Sequence, residues 1–313
     1  FKFGWPVVAT LALQAHASSL FISPTFNSSI TSDPNASIIE STISAAISIY
    51  ETSFSDPITV DITFGEGAGL GSSSTEFLTV NYSDYCAALV ANSTSGNDAL
   101  AVGTLAPGGV CPTHNPVTGS STIEVKTANL RALGIATPGF GPGGSDDGTI
   151  TLNTSITSPP GAPGGFSLLV ATEHEIDEVL GLGSGLPNIN GGASTIPVSE
   201  PFPEDLFRYN GSGVGTFASG ASCNSLPAAF FSIDGITNLA QFNNACNGGD
   251  FGDWAVSGSP KVQDWAAASG SNPSLGPELI ALDVIGYDTV PEPGTFLLVG
   301  VALLAAGLLR RRS

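Results

Sequence analysis

The chain has 313 residues, with 27 acidic side chains against eight basic ones and a formal net charge of -19. Between Ser18 and Pro291 the only bases are Lys126, Arg131, Arg208 and Lys261. That imbalance argues against nucleic acid or anionic lipid as a ligand of this stretch, and its length is enough for one large core.

Residues 1–17 read as an export signal whose start is cut short, since no methionine occurs anywhere. Lys2 supplies the positive charge, residues 7–13 the apolar core, and Ala15, His16 and Ala17 the small-x-small site of a signal peptidase, with cleavage before Ser18. Residues 35–50 place Ile38, Ile39, Ile43, Ala46, Ile47 and Tyr50 at helical spacing, with Asp33 and Pro34 as cap and first-turn proline. Ile58, Val60, Ile62 and Phe64 alternate with polar residues as in a half-buried strand. The glycines of residues 65–71 predict a loop and residues 82–91 a helix. Residues 122–133 read as a strand start running into a short helix, and residues 147–154 as a strand through Ile150 and Leu152.

The Pro/Gly run at 159–165 ends regular structure and leads into a predicted helix over 166–180, which Gly181 and Gly183 terminate. Leu169, Ile176 and Leu180 form its expected core-facing stripe, with Ala171, His174 and Glu178 on the opposite side. Residues 278–287 read as a packed C-terminal helix and turn. The four cysteines allow three pairings. Cys86 with Cys111 and Cys223 with Cys246 are favoured, because each pair closes a Gly- and Asn-rich stretch. A four-cysteine metal site would need close Cys-x-x-Cys pairs, which are absent.

The run Glu173, His174, Glu175, Ile176, Asp177, Glu178 packs four carboxylates and an imidazole into six residues. Like charges at i,i+4 destabilise a helix, and a bound cation reverses that cost. His174 and Glu178 can direct a ring nitrogen and a carboxylate oxygen at one zinc ion, with Glu175 beside them as the base that takes a proton from water. The bland reading is an acidic surface helix or a former active site. Tyr209 is a weaker candidate for polarising a carbonyl. Asp250 and Asp253 in GGDFGDW have the look of an acidic calcium turn but lack the full ligand series, so they read as a structural loop. The glycines of 139–144 lack a phosphate-loop lysine and read as loops.

This segment resembles the His-Glu-x-x-His helix of zinc-dependent endopeptidases, with Gly181 matching the glycine of the longer form of that motif. TANLRALG at 127–134 resembles the stretch before the edge strand of matrixin-like proteases. VATEHEIDEVLG, EDLFRY, FSIDG, GGDFGDW and ALDVIGY together resemble a bacterial family of metalloproteases with a surface-sorting tail. The resemblance implies an α+β, zincin-like metallopeptidase fold over residues 18–289, a mixed sheet with an active-site helix, and a substrate-pairing edge at 149–153. The chain departs from that pattern at Glu178, where the motif has its second histidine, at Ser184, where the extended motif has its third, and in lacking a methionine for the supporting turn. A third ligand must come from elsewhere, Asp205 being the first choice and Glu204 the second, although Asp205 equally suits a turn cap or a pair with Arg208.

Val290, Pro291, Glu292, Pro293 and Gly294 precede an apolar stretch at 295–309 that ends in Arg310, Arg311 and Arg312. This order strongly resembles the PEP-CTERM sorting signal, which implies an exosortase-type processing partner. As a helix the apolar stretch rises roughly 22 Å, short of the roughly 30 Å hydrocarbon core, and the arginines extend its reach from the cytoplasmic side. The sequence therefore predicts an exported metal-dependent endopeptidase with a tail at 290–313 containing a transmembrane helix, acting on a protein or peptide substrate with zinc as cofactor. The alternative is a catalytically inactive surface, matrix or adhesion protein.

Overall fold

The computed structural model describes residues 19–158, 165–186, 199–217, 228–245 and 247–291. In chain order its elements are β1 (Phe21–Phe26), α1 (Ser28–Thr31), α2 (Ala36–Ser53), β2 (Thr59–Glu66), β3 (Gly71–Thr75), β4 (Phe77–Asn81), α3 (Tyr82–Ala91), α4 (Gly96–Leu105), β5 (Thr122–Lys126), α5 (Thr127–Ala132) and β6 (Gly148–Leu152). They continue with β7 (Thr157–Ser158), β8 (Phe166–Ser167), α6 (Leu168–Leu180), β9 (Arg208–Tyr209), β10 (Phe230–Phe231), β11 (Ala240–Gln241) and α7 (Pro277–Ile285). The architecture is mixed α+β.

The principal sheet has four strands in the order β1-β2-β6-β3. The first three run parallel and β3 is antiparallel to β6. Ile150 and Leu152 alternate inward as expected, yet β6 lies inside the sheet, and among the described residues the edges belong to β1 and β3 rather than to residues 149–153. The alternation identifies a strand without giving its place in the sheet, and the serine-rich β3 offers no such signal.

Helix α2 begins at Ala36 with Asn35 as N-cap, while Asp33 accepts the Asn35 N–H at 2.6 Å and so shapes the preceding turn. Its buried face includes Ile39, Ile43, Ala46, Ile47 and Tyr50 at the spacing read from the sequence, whereas Ile38, at the rim of that stripe, is exposed. Helix α6 starts only at Leu168, where the Ser167 side chain accepts from the Val170 N–H. This helix is the central element and is buried nearly all round, including Glu173, Glu175 and Asp177, while Leu169 of the expected stripe is only partly buried. The Tyr50 hydroxyl donates to the Glu173 carbonyl at 2.7 Å and lies 2.9 Å from Asp177 Oδ1. Burial pushes Asp177 well above the usual carboxylate range and Glu173 up to about 8, the nearby Glu278 adding to both. Proton uptake thus relieves the i,i+4 repulsion without any lysine or arginine on the helix.

Cys86 and Cys111 form a disulfide with Cα atoms 5.7 Å apart. Cys223 and Cys246 lie outside the described residues, as do the predicted signal at 1–17 and the apolar stretch at 295–309. No helix among the described residues is long and apolar enough to cross a membrane.

Burial raises two further acids. It pushes Asp56, after α2, up to about 7 although the Asp288 N–H donates to that carboxylate, and Asp283 of α7 up to about 6 against a hydrogen bond from Asn97, with Asp98 adding to the rise. A carboxylate whose folded pKa exceeds its unfolded value stabilises the fold fully below the unfolded pKa of about 4, and that contribution fades as pH rises through the folded value. The thermal midpoint of chelator-treated protein is therefore expected to fall as pH rises from 4.5 to 7.5. D283N should flatten this slope, and an unchanged slope would show that Asp283 does not carry it.

Candidate metal centre

The site forms along the C-terminal half of α6. His174 and Glu178 project from the same face one turn apart, with Nε2 and Oε1 separated by 3.8 Å. Asp253 arrives from the GGDFGDW segment and places Oδ1 3.6 Å from the same Nε2. These three residues each offer a ligand atom within 4.8 Å of the others, the one such group of three among the described residues. Ligands about 2.1 Å from a tetrahedral ion stand about 3.4 Å apart, so the cluster needs only a small contraction to hold one. A nitrogen donor among two carboxylates suits zinc better than calcium, which takes six or more oxygens.

His174 Nδ1 lies 3.1 Å from the Val262 carbonyl, which accepts its proton and turns Nε2 toward Glu178 and Asp253. Gln263 Nε2 lies 3.3 Å from His174 Nε2 and donates to Asp253 Oδ1 at 3.1 Å. Its Oε1 has no hydrogen-bond partner, so the reversed amide would present an acceptor to a protonated ring. Burial opposes a charge on His174, but Asp253, Glu175 and Glu178 together outweigh it and raise the ring's pKa to about 10. Burial, reinforced by Glu178, raises Glu175; burial likewise raises Asp253, with Asp250 adding and His174 opposing.

Buried Glu278 of α7 aligns the two loops that complete the site. Its Oε1 accepts from Trp254 Nε1 at 3.0 Å and from the Gln263 N–H at 3.1 Å, fixing the segments that carry Asp253 and Val262. Gly252 packs on the backbone after α6, where a Cβ would lie 2.5 Å from Gly183 Cα, so only glycine fits. Buried Lys126, at the end of β5, donates to the Glu178 and Leu182 carbonyls and satisfies the C-terminal end of α6.

Asp205 is not brought to this cluster. It accepts from Ser184 Oγ at 2.5 Å, the Gly185 N–H at 2.9 Å and the Phe202 N–H at 3.1 Å. Glu204 accepts the Gly183 N–H at 2.6 Å. Both carboxylates clamp the turn that follows α6, satisfying backbone donors that burial would otherwise orphan. Arg208 makes no ion pair with Asp205; it lies over the Phe242 ring and donates to the Phe251 carbonyl at 2.6 Å. Tyr209, in β9, is not among the residues lining the cavity beside His174.

That cavity, of about 120 Å³, is lined by His174 and Glu175 together with Leu70, Val170, Val262 and Trp265. Glu175 also lies against Gly71 at the start of β3, where a Cβ would fall 3.0 Å from its Cδ. The base predicted from the sequence thus stands between the cluster, the cavity and the free sheet edge.

Residues 289–312 match the PEP-CTERM protein-sorting motif. The PEP-CTERM tail marks an exported chain that is anchored or surface-sorted through its C-terminal segment, with an exosortase-type enzyme as processing partner. Neither the curated proteins nor the solved structures give a match to the chain.

Proposed function

We propose that residues 18–289 act outside the cytoplasm as a metal-dependent endopeptidase, with a transition metal, best zinc, held by His174, Glu178 and Asp253. The observation that carries this reading is the convergence of those three donors beside a further carboxylate outside the group, Glu175. Bound there, zinc supplies Lewis acidity and acidifies a water. Glu175 accepts a proton from the attacking water as its oxygen bonds to the amide carbon, then returns that proton to the nitrogen as the C–N bond breaks. The free edge of β3 offers backbone groups for an extended peptide, and the cavity beside Glu175 receives a side chain.

A non-catalytic surface protein is the second reading, and Glu178 in place of a histidine favours it. Two carboxylates neutralise a divalent ion and blunt its pull on a carbonyl, so binding without turnover is its signature. The deciding experiment strips the full chain of metal, reloads it with zinc chloride and measures stoichiometry and peptide cleavage. One zinc per chain and cleavage abolished by chelation are expected. Folded protein that takes up no transition metal, or cleavage that survives chelation, overturns the peptidase reading.

A further inference from the structure

A carboxylate that replaces an imidazole as metal ligand creates a problem of aim. An imidazole is rigid and is oriented through its second nitrogen, whereas a glutamate rotates about its terminal bond and can offer one oxygen or two. Something must hold Glu178. The nearest hydroxyl comes from β3, where Gly71, Ser73 and Thr75 are partly buried while Ser72 and Ser74 point to solvent. Ser72 Oγ meets Thr151 Oγ1 at 2.8 Å, on the neighbouring strand.

The inward positions run in step with α6. Gly71 packs on Glu175, and Ser73, two residues further along the strand, donates its hydroxyl to Glu178 Oε2. With Oε2 engaged, Oε1 is the atom that faces His174 Nε2.

We propose that Ser73 is a positioning residue that sets Glu178 as a one-oxygen ligand and ties the metal centre to the edge strand that presents substrate. The inference rests on the metal reading above. It assigns a role to β3, a segment that reads in sequence as a featureless polar run.

The test compares S73V with S73T in the full chain, a matched pair of β-branched residues that differ in the hydroxyl and both suit a strand. Zinc affinity is measured by competition with a chromophoric chelator, and folding by the thermal midpoint of the metal-free protein. S73V is expected to bind zinc about 10- to 100-fold more weakly than wild type, the usual range for loss of a ligand's hydrogen-bond partner. S73T should restore wild-type affinity, with both metal-free midpoints close to that of wild type. Equal affinity in S73V and wild type, or an S73T loss as large as that of S73V, overturns the assignment. Wild-type protein that takes up no zinc overturns the metal centre itself, a separate result.

Discussion

E175Q is expected to lower peptide cleavage by about 10²- to 10⁴-fold, the usual worth of a general base, while leaving zinc affinity within a few-fold of wild type. The two readouts separate because Glu175 contributes no atom to the His174–Glu178–Asp253 group, yet lines the cavity beside it. Glutamine keeps the shape between Gly71 and the cavity and removes the basic oxygen. Burial and Glu178 both raise the Glu175 pKa, with His174 opposing. A divalent ion on Glu178 would take up the charge of that neighbour and lower the Glu175 pKa toward the range of a working base. Cleavage undiminished in E175Q would remove Glu175 from the chemistry, whatever the metal does.

The second large effect separates two aspartates. D253N should weaken zinc binding by at least about 100-fold, since it removes the charge of one ligand in a set of three. D205N should leave zinc affinity nearly unchanged and lower the thermal midpoint instead. Its carboxylate accepts from Ser184, Gly185 and Phe202, and a buried hydrogen bond to a charged group is worth about 1.5–3 kcal/mol. The opposite pattern, zinc lost in D205N and kept in D253N, would return the third ligand to the EDLFRY block.

Residues near one another in sequence were the readily legible ones. The spacing of Ile39, Ile43 and Tyr50 and the alternation of Val60, Ile62 and Phe64 correspond closely to α2 and β2, because one face of each packs on the core. His174, Glu175 and Glu178 share a helix, so their grouping follows from its pitch. Asp253 stood out as acidic but gave no hint of its destination. Its approach to His174 depends on Glu278 binding both Trp254 and Gln263, a junction of residues far apart in the chain. Asp205 misled for the converse reason: a carboxylate among aromatics suits a ligand or a buried cap equally, and only the backbone donors of Gly185 and Phe202 distinguish the two. Strand order was illegible as well. β3 is mostly serine and carries no strand signal, and the edge that the resemblance implied at 149–153 falls on β6.

The end of the folded body has a mechanical consequence for the tail. The Val290 N–H donates to the Ser53 carbonyl, the Ser55 N–H donates to the Asp288 carbonyl, and Phe54 bridges Thr289, so the chain is stitched to the end of α2 into the first residues of the sorting motif. From Val290 to Thr295, the first residue of the apolar stretch, the backbone can span at most about 18 Å. Were the apolar stretch held in a bilayer, so short a leash would keep the acidic body against the membrane surface until the tail is processed.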